Sequence, residues 1–181
     1  AIASHDLTIE EYNETLGLSF EVNYSTLPEE QYAALIRQVT IKNRSKHSYE
    51  IELIDGMPAI IPYGFNDRLL KDIPRTVEAW IKVGNLERRA PFYSLEVIVS
   101  DKPYVENINE GNFYFCFDQD GGRPRLLKPI VQPSCIFGKS TDFNYPKAFL
   151  QAKTFNVPKD QKTRNKTPSA MAYAHFSIAP Q

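Results

Sequence analysis

The run GNFYFCFDQDGGRPRLL, Gly111 to Leu127, sets the tightest limit on what this chain can fold into. Phe113, Phe115 and Phe117 recur at every second position, with Tyr114 and Cys116 between them. Successive side chains of a strand point to opposite faces, so this spacing predicts a strand with one aromatic face. Asp120 to Gly122 supply residues that tolerate the positive φ of a tight hairpin, and RLLKPIV is the predicted return strand.

The same period of two runs through much of the chain. In LGLSFEVNYSTL, Leu18, Phe20 and Val22 fall on one face and Ser19, Glu21 and Asn23 on the other. LIRQVTIKN alternates in the same way, and QVTIKNRSKHSYEIELIDG reads as a hairpin with Tyr49, Ile51 and Leu53 on one face of its return strand. TVEAWIKV fits two periods. Helical spacing links Val77, Trp80 and Ile81; strand spacing aligns Val77, Ala79, Ile81 and Val83. The cleaner alternation and the β-branched residues favour a strand over Thr76 to Val83, paired with FYSLEVIVS across the turn GNLERRAP. KAFLQAKTF is ambiguous, and AMAYAHFSI is a closing strand.

One short helix interrupts this pattern at NDRLLKDI. Asn66 is placed as its N-cap, Asp67 sits in the first turn, and Asp67 and Lys71 stand at i, i+4 with the acid first. Leu69, Leu70 and Ile73 form a narrow apolar stripe, and Pro74 ends the helix. The expected fold is therefore all-β and antiparallel with one short helix, a single domain over 1–181.

A chain of 181 residues buries about 70% of the surface its unfolded form exposes, enough for a real core. With 21 basic and 22 acidic residues the net charge is −1, which gives no electrostatic footprint for nucleic acid. The one basic cluster, Lys153 to Lys166, also holds Pro, Asn and Thr and reads as a solvated loop. No apolar run approaches the roughly 18 residues of a spanning helix, and no signal peptide is evident, so a cytoplasmic protein is expected. The chain does not begin with Met and ends as a strand finishes, which suggests a domain excised from a longer polypeptide. Cys116 and Cys135 lack CxxC spacing and read as two buried free thiols, with a disulfide left open.

Motifs for catalysis are sparse. His5, His47 and His175 are far apart and no HExxH occurs, so no metal is expected. DQDGG at Asp118 is similar to the start of a calcium loop, but its Gly comes too early and Arg123 and Arg125 follow where ligands would be needed. GxSxG, P-loop and GxGxxG patterns are missing. Asp55, Asp67, Asp72 and Glu78 crowd one stretch, and a suitably spaced carboxylate pair can hydrolyse a glycoside. Lys71 neighbours Asp67 and Lys82 neighbours Glu78, which favours an ordinary charged face. Trp80, the only tryptophan, suits stacking on a sugar ring, anchoring an interface, or packing beneath the short helix.

Four blocks carry a resemblance: LIDGMPAIIPYG, RTVEAW, PFYSL and GNFYF, within roughly Val39 to Phe117. In their order and spacing the chain resembles the β-sandwich region of large bacterial glycoside phosphorylases, of the 1,2-β-oligoglucan phosphorylase and cellobiose phosphorylase type. The resemblance implies an antiparallel β-supersandwich, galactose mutarotase-like. It implies a parent enzyme that splits or makes a β-glucosidic bond with inorganic phosphate and inverts the anomeric centre. In such enzymes the general acid is an aspartate of an (α/α)6 barrel, which also binds phosphate, so no catalytic residue carries over to this chain and no cofactor is expected.

The expected partners are that barrel, a β-glucan oligosaccharide for the parent, and a second subunit. Asn66, Asp67, Arg75, Glu78 and Trp80 are the expected docking surface, and Trp80 and Tyr93 the candidate carbohydrate contacts. The alternative is a free-standing carbohydrate-binding sandwich, which requires two or three exposed aromatics in a row, with Tyr93 and the Tyr114 face as candidates that core packing explains as well. A hydrolase using Asp67 and Glu78 is a third reading.

Overall fold

The computed structural model describes residues 6–65, 67–97, 103, 108–119 and 122–180, with the backbone only for Asp67 and Leu69. Most of its regular structure is antiparallel β-sheet, as the alternating runs require. The chain divides into two compact units: residues 1–52 with 175–181, and residues 53–174.

The first unit is built on a three-stranded meander of β1 (Asp6–Asn13), β2 (Leu18–Thr26) and β3 (Leu35–Asn43), in that order. Register puts Ile9 beside Val22 and Val22 beside Val39, with Phe20 beside Ile41, so the apolar residues of the alternating runs share one face. At the end of β3, buried Asn43 organises the following turn. Its amide donates to the carbonyls of His47 (2.6 Å) and Ile178 (3.2 Å), and its oxygen accepts from the Ser45 backbone and hydroxyl. A buried amide with every position bonded stabilises a turn without a desolvation penalty left over.

The expected β3–β4 hairpin is corrected by the structure. β4 (Tyr49–Met57) neighbours β11 (Ala170–Ile178) in a sheet of order β10-β11-β4, where β10 is Pro129–Ile130. The turn at Asn43 is tied to the last strand at Ile178, and that long-range tie, invisible to local pattern, accompanies the exchange of partners.

In the second unit, the predicted strand over Thr76 to Val83 is half helix. α1 (Asp67–Asp72) is followed by α2 (Pro74–Ala79), and only β5 (Ile81–Gly84) is strand. Pro74 both ends α1 and opens α2, because its fixed φ suits the first position of a helix. Val77 is the buried residue of α2, so the helical spacing of Val77, Trp80 and Ile81 prevails over the period-two reading. β5 pairs with β6 (Phe92–Leu95) as expected, and β6 pairs with β7 (Asn112–Phe113). β8 (Phe117–Asp118) pairs with β9 (Arg125–Leu126), bearing out a hairpin at the turn, but the expected continuous strand through the phenylalanine run is interrupted at residues 114–116, its first part pairing with β6 instead; Asp120 and Gly121 lie outside the described residues. FYSLEVIVS is strand through Leu95, and its residues after Val97 are likewise outside.

The ambiguous KAFLQ is α4 (Lys147–Gln151), and α3 (Ser134–Phe137) precedes it, so several short helices accompany the sheets where one was expected. Both pack in an aromatic core. Phe149 and Phe155 meet edge-on at 5.1 Å, as do Phe155 and Tyr173, around buried Ile130, Ile136 and Met171. A second core joins Ile60, Val83, Tyr93, Val131 and Ala170. No described helix is long and apolar enough to cross a membrane.

Candidate functional site

Helix α2 carries Arg75 and Glu78 of the expected docking residues, with Trp80 as its C-cap, and it divides them by role. The Arg75 side chain is 91% exposed while Glu78 is only 20% exposed. Glu78 Oε1 accepts from the Thr167 backbone N–H (2.9 Å) and hydroxyl (3.2 Å). Its Oε2 lies 3.8 Å from Arg75 Nη1 and 3.9 Å from Lys166 Nζ. Glu78 thus clamps the helix to the segment at Thr167, an internal structural contact that spacing along the sequence did not signal. Trp80 is half-buried, and its carbonyl accepts from the Glu96 N–H at 2.8 Å. Asn66 and the Asp67 side chain lie outside the described residues, so the cap and the carboxylate pair with Glu78 have no described geometry.

The remaining carboxylates do not gather. Asp72 pairs with Arg68 on the exposed face of α1, while Asp55 lies near Tyr114 and Cys116. Burial pushes the Cys116 thiol up, and burial pushes Cys135 up as well, so both free cysteines are held as protonated thiols with little nucleophilic character. His175 Nε2 lies 3.3 Å from Glu50, which also accepts from Ser177, on an exposed surface of the first unit. His47 contributes its carbonyl to the Asn43 turn, and His5 is outside the described residues. Among the described residues, no group of three His, Cys, Asp or Glu side chains converges as a metal ion would require.

Tyr93 corrects a sequence expectation. It is 0% exposed, and its hydroxyl donates to the Ser169 carbonyl at 2.9 Å. Burial pushes its phenol far above the ordinary range. A ring enclosed in this way has no face to offer a sugar; the alternation that put Tyr93 on a strand face could not say that the face was the core.

The aromatic row that is exposed is Phe113, Phe115 and Phe117. Phe113 and Phe115 have centroids 5.7 Å apart with planes inclined by 9°, and Phe115 and Phe117 are 6.4 Å apart at 19°. Their exposures are 45%, 49% and 52%. The sequence showed that the three share a face, but not that the face is open. In the first unit, a shallow groove of about 380 Å³ is lined by Glu10, Tyr12, Glu21, Lys42 and Arg44 among others. Lys42 lies 3.7 Å from Glu21, and the Arg44 guanidinium lies 5.9 Å from the centroid of the Tyr12 ring.

No protein-family model matches the chain, and no curated protein matches it.

Proposed function

We propose that this chain is a non-catalytic β-rich part of an inverting glycoside phosphorylase. In this reading its sheets belong to a galactose mutarotase-like supersandwich that supports an (α/α)6 catalytic barrel and subunit contacts. The parent cleaves a β-glucosidic bond of a gluco-oligosaccharide with inorganic phosphate and needs no cofactor. Two free, unreactive thiols fit a reducing, cytoplasmic setting.

One observation carries this reading: the four blocks of resemblance meet in the second unit. The Tyr63 N–H donates to Asn112 Oδ1 at 2.7 Å, joining the first block to the fourth. Tyr93 pairs with Asn112, and the Tyr114 N–H donates to the Pro91 carbonyl at 3.1 Å, joining the third to the fourth. Ile81, next after RTVEAW, pairs with Leu95 of PFYSL. Gly111 packs where a Cβ would lie 2.3 Å from the Tyr93 carbonyl oxygen. Residues up to 49 positions apart are thus neighbours in one packed arrangement.

The test is an assay of the polypeptide that carries this chain, with β-1,2-gluco-oligosaccharides and inorganic phosphate. Inversion at a β-linked glucose yields α-glucose 1-phosphate. Its phosphate-dependent release is expected from that polypeptide and not from the 181 residues alone. Turnover by the 181 residues alone, or none by the polypeptide, overturns the proposal.

A second reading, a carbohydrate-binding module, is favoured by the open Phe113–Phe115–Phe117 row. It requires oligosaccharide affinity in calorimetry that Phe115→Ala weakens, without phosphate.

A further inference from the structure

Charge is not spread evenly along this chain. Residues 122–174 hold ten basic side chains and two acidic ones, Asp142 and Asp160, a net charge of +8. The remaining residues hold eleven basic and twenty acidic side chains, a net charge of −9. At physiological salt a charge is felt over about 8 Å, so a partner meets the local charge and not the overall −1.

The basic stretch folds as one packed lobe of the second unit. Its helices close on the core of Ile130, Ile136, Phe155 and Met171. Gln161 ties the loop at Pro158 to β10: its amide donates to the Pro129 and Pro158 carbonyls, and its side-chain oxygen accepts from the Val131 N–H at 2.8 Å. Lys128, Lys139, Lys147, Lys153, Lys159 and Lys162 are exposed on this frame, and among the described residues none of them pairs with a carboxylate. Arg125, Arg164 and Lys166, by contrast, are paired with Asp118, Glu96 and Glu78. Phe149 of α4 packs inward on Phe155, so Lys147 and Leu150, three positions apart, share the outer side. Leu150 is 54% exposed, and Tyr145, whose carbonyl accepts from the Lys147 N–H, is 59% exposed.

We propose that this lobe binds the surface of an anionic lipid bilayer, with Tyr145 and Leu150 at the headgroup boundary and the lysines against acidic lipids. The proposal stands apart from the phosphorylase reading. Lysine is a compact, hydrated point charge that needs no fixed partner geometry. Each one near a negative leaflet strengthens attraction about fivefold. Tyrosine, apolar in body and polar at its tip, suits that boundary. Reading of base edges relies chiefly on planar forks such as arginine's, and single-strand binding on successive stacked rings. Among the described residues of the lobe, Tyr145 is the one exposed ring. A stable protein interface buries about 800 Å² per partner around an apolar core, for which Tyr145 and Leu150 are too little.

Co-sedimentation of the whole chain with vesicles tests this. Binding is expected to phosphatidylcholine vesicles containing phosphatidylserine at about 0.1 M salt, and its loss at about 1 M, where screening shortens to about 3 Å. Vesicles of phosphatidylcholine alone should bind at least about tenfold less, and Lys147→Glu with Lys153→Glu should weaken binding by a similar factor. Leu150→Ser should weaken it severalfold, while Lys46→Glu, at an exposed site of the first unit, should leave it unchanged. Equal binding to both vesicles, no binding to either, or equal effects of the lobe and Lys46 reversals overturns the proposal. Tighter binding to single-stranded DNA or to polyglutamate than to the acidic vesicles assigns the lobe to a nucleic acid or an acidic protein, and overturns it as well.

Discussion

The Tyr93 hydroxyl donates to the Ser169 carbonyl at 2.9 Å, across 76 residues of sequence. Ser169 is itself fully buried. Its N–H donates to the Val131 carbonyl and its hydroxyl to the Ile130 carbonyl, so the phenol completes a polar knot inside an apolar core. Tyr93→Phe preserves the ring and leaves the Ser169 carbonyl without this donor. A buried acceptor stripped of its partner costs about 1–3 kcal/mol. Urea unfolding of the variant is expected to show a lower midpoint with an unchanged slope; an unchanged midpoint would mean that the bond contributes nothing.

The same burial makes alkaline stability a separate readout. Burial raises the pKa values of Tyr93 and Tyr114 above the unfolded value of 10.0. Above pH 10 the unfolded chain loses phenolic protons while the folded chain keeps them, so stability falls as pH rises. Below that pH the two states hold equal numbers of these protons and the slope from this source vanishes. Unfolding midpoints at pH 8, 10 and 11 are expected to drop between the last two, and Tyr93→Phe is expected to shallow that drop. A profile flat to pH 11 would contradict the burial of both phenols.

Glu78 and Arg75 are an ion pair on paper and unequal in consequence. Glu78 accepts two hydrogen bonds from Thr167 in a half-buried setting, whereas Arg75 is almost wholly exposed. Glu78→Ala is expected to destabilise the chain by about 1–3 kcal/mol, since bonds to a charged acceptor exceed the neutral average. Arg75→Ala is expected to cost about 0.5 kcal/mol or less, as exposed pairs do. Equal effects in thermal unfolding would place the energy in the salt bridge and not in the clamp to Thr167.

Strand existence was legible in β2, β3 and β11, whereas the phenylalanine run keeps its period of two but is strand only at its ends, Asn112–Phe113 and Phe117–Asp118. The failure at Thr76–Ala79 has a local cause. Val77 and Ala79 satisfy a strand, Val77, Trp80 and Ile81 satisfy a helix, and Pro74 decides between them through backbone geometry that hydrophobicity does not register. Pairing partners were less legible than strands. The capture of β4 by β11 depends on contacts more than a hundred residues apart. Exposure was the least legible property: Tyr93 and Phe113 both sit on alternating strands, and only packing makes one core and leaves the other open.

Gly111 offers the sharpest steric test of how the blocks of the second unit fit together. A Cβ built there would lie 2.3 Å from the Tyr93 carbonyl oxygen and 2.7 Å from the Phe92 ring. The ring edge can swing aside, but the carbonyl belongs to β6 and is fixed by the β5–β6 ladder. Gly111→Ala therefore has to push β7 away from β6, where the Phe92↔Phe113 and Tyr93↔Asn112 pairs and the adjacent Tyr114 N–H to Pro91 carbonyl bond hold the segments together. Overpacking of this kind costs about 1–3 kcal/mol. Gly84→Ala is the matched control, because nothing lies within 4 Å of a Cβ built at Gly84 and the change stays on β5 of the same sheet. Amide hydrogen exchange is expected to accelerate at residues 112–114 in the Gly111 variant and to stay unchanged there in the Gly84 variant; acceleration in both would trace the effect to general loosening of the sheet and not to the contact with Tyr93.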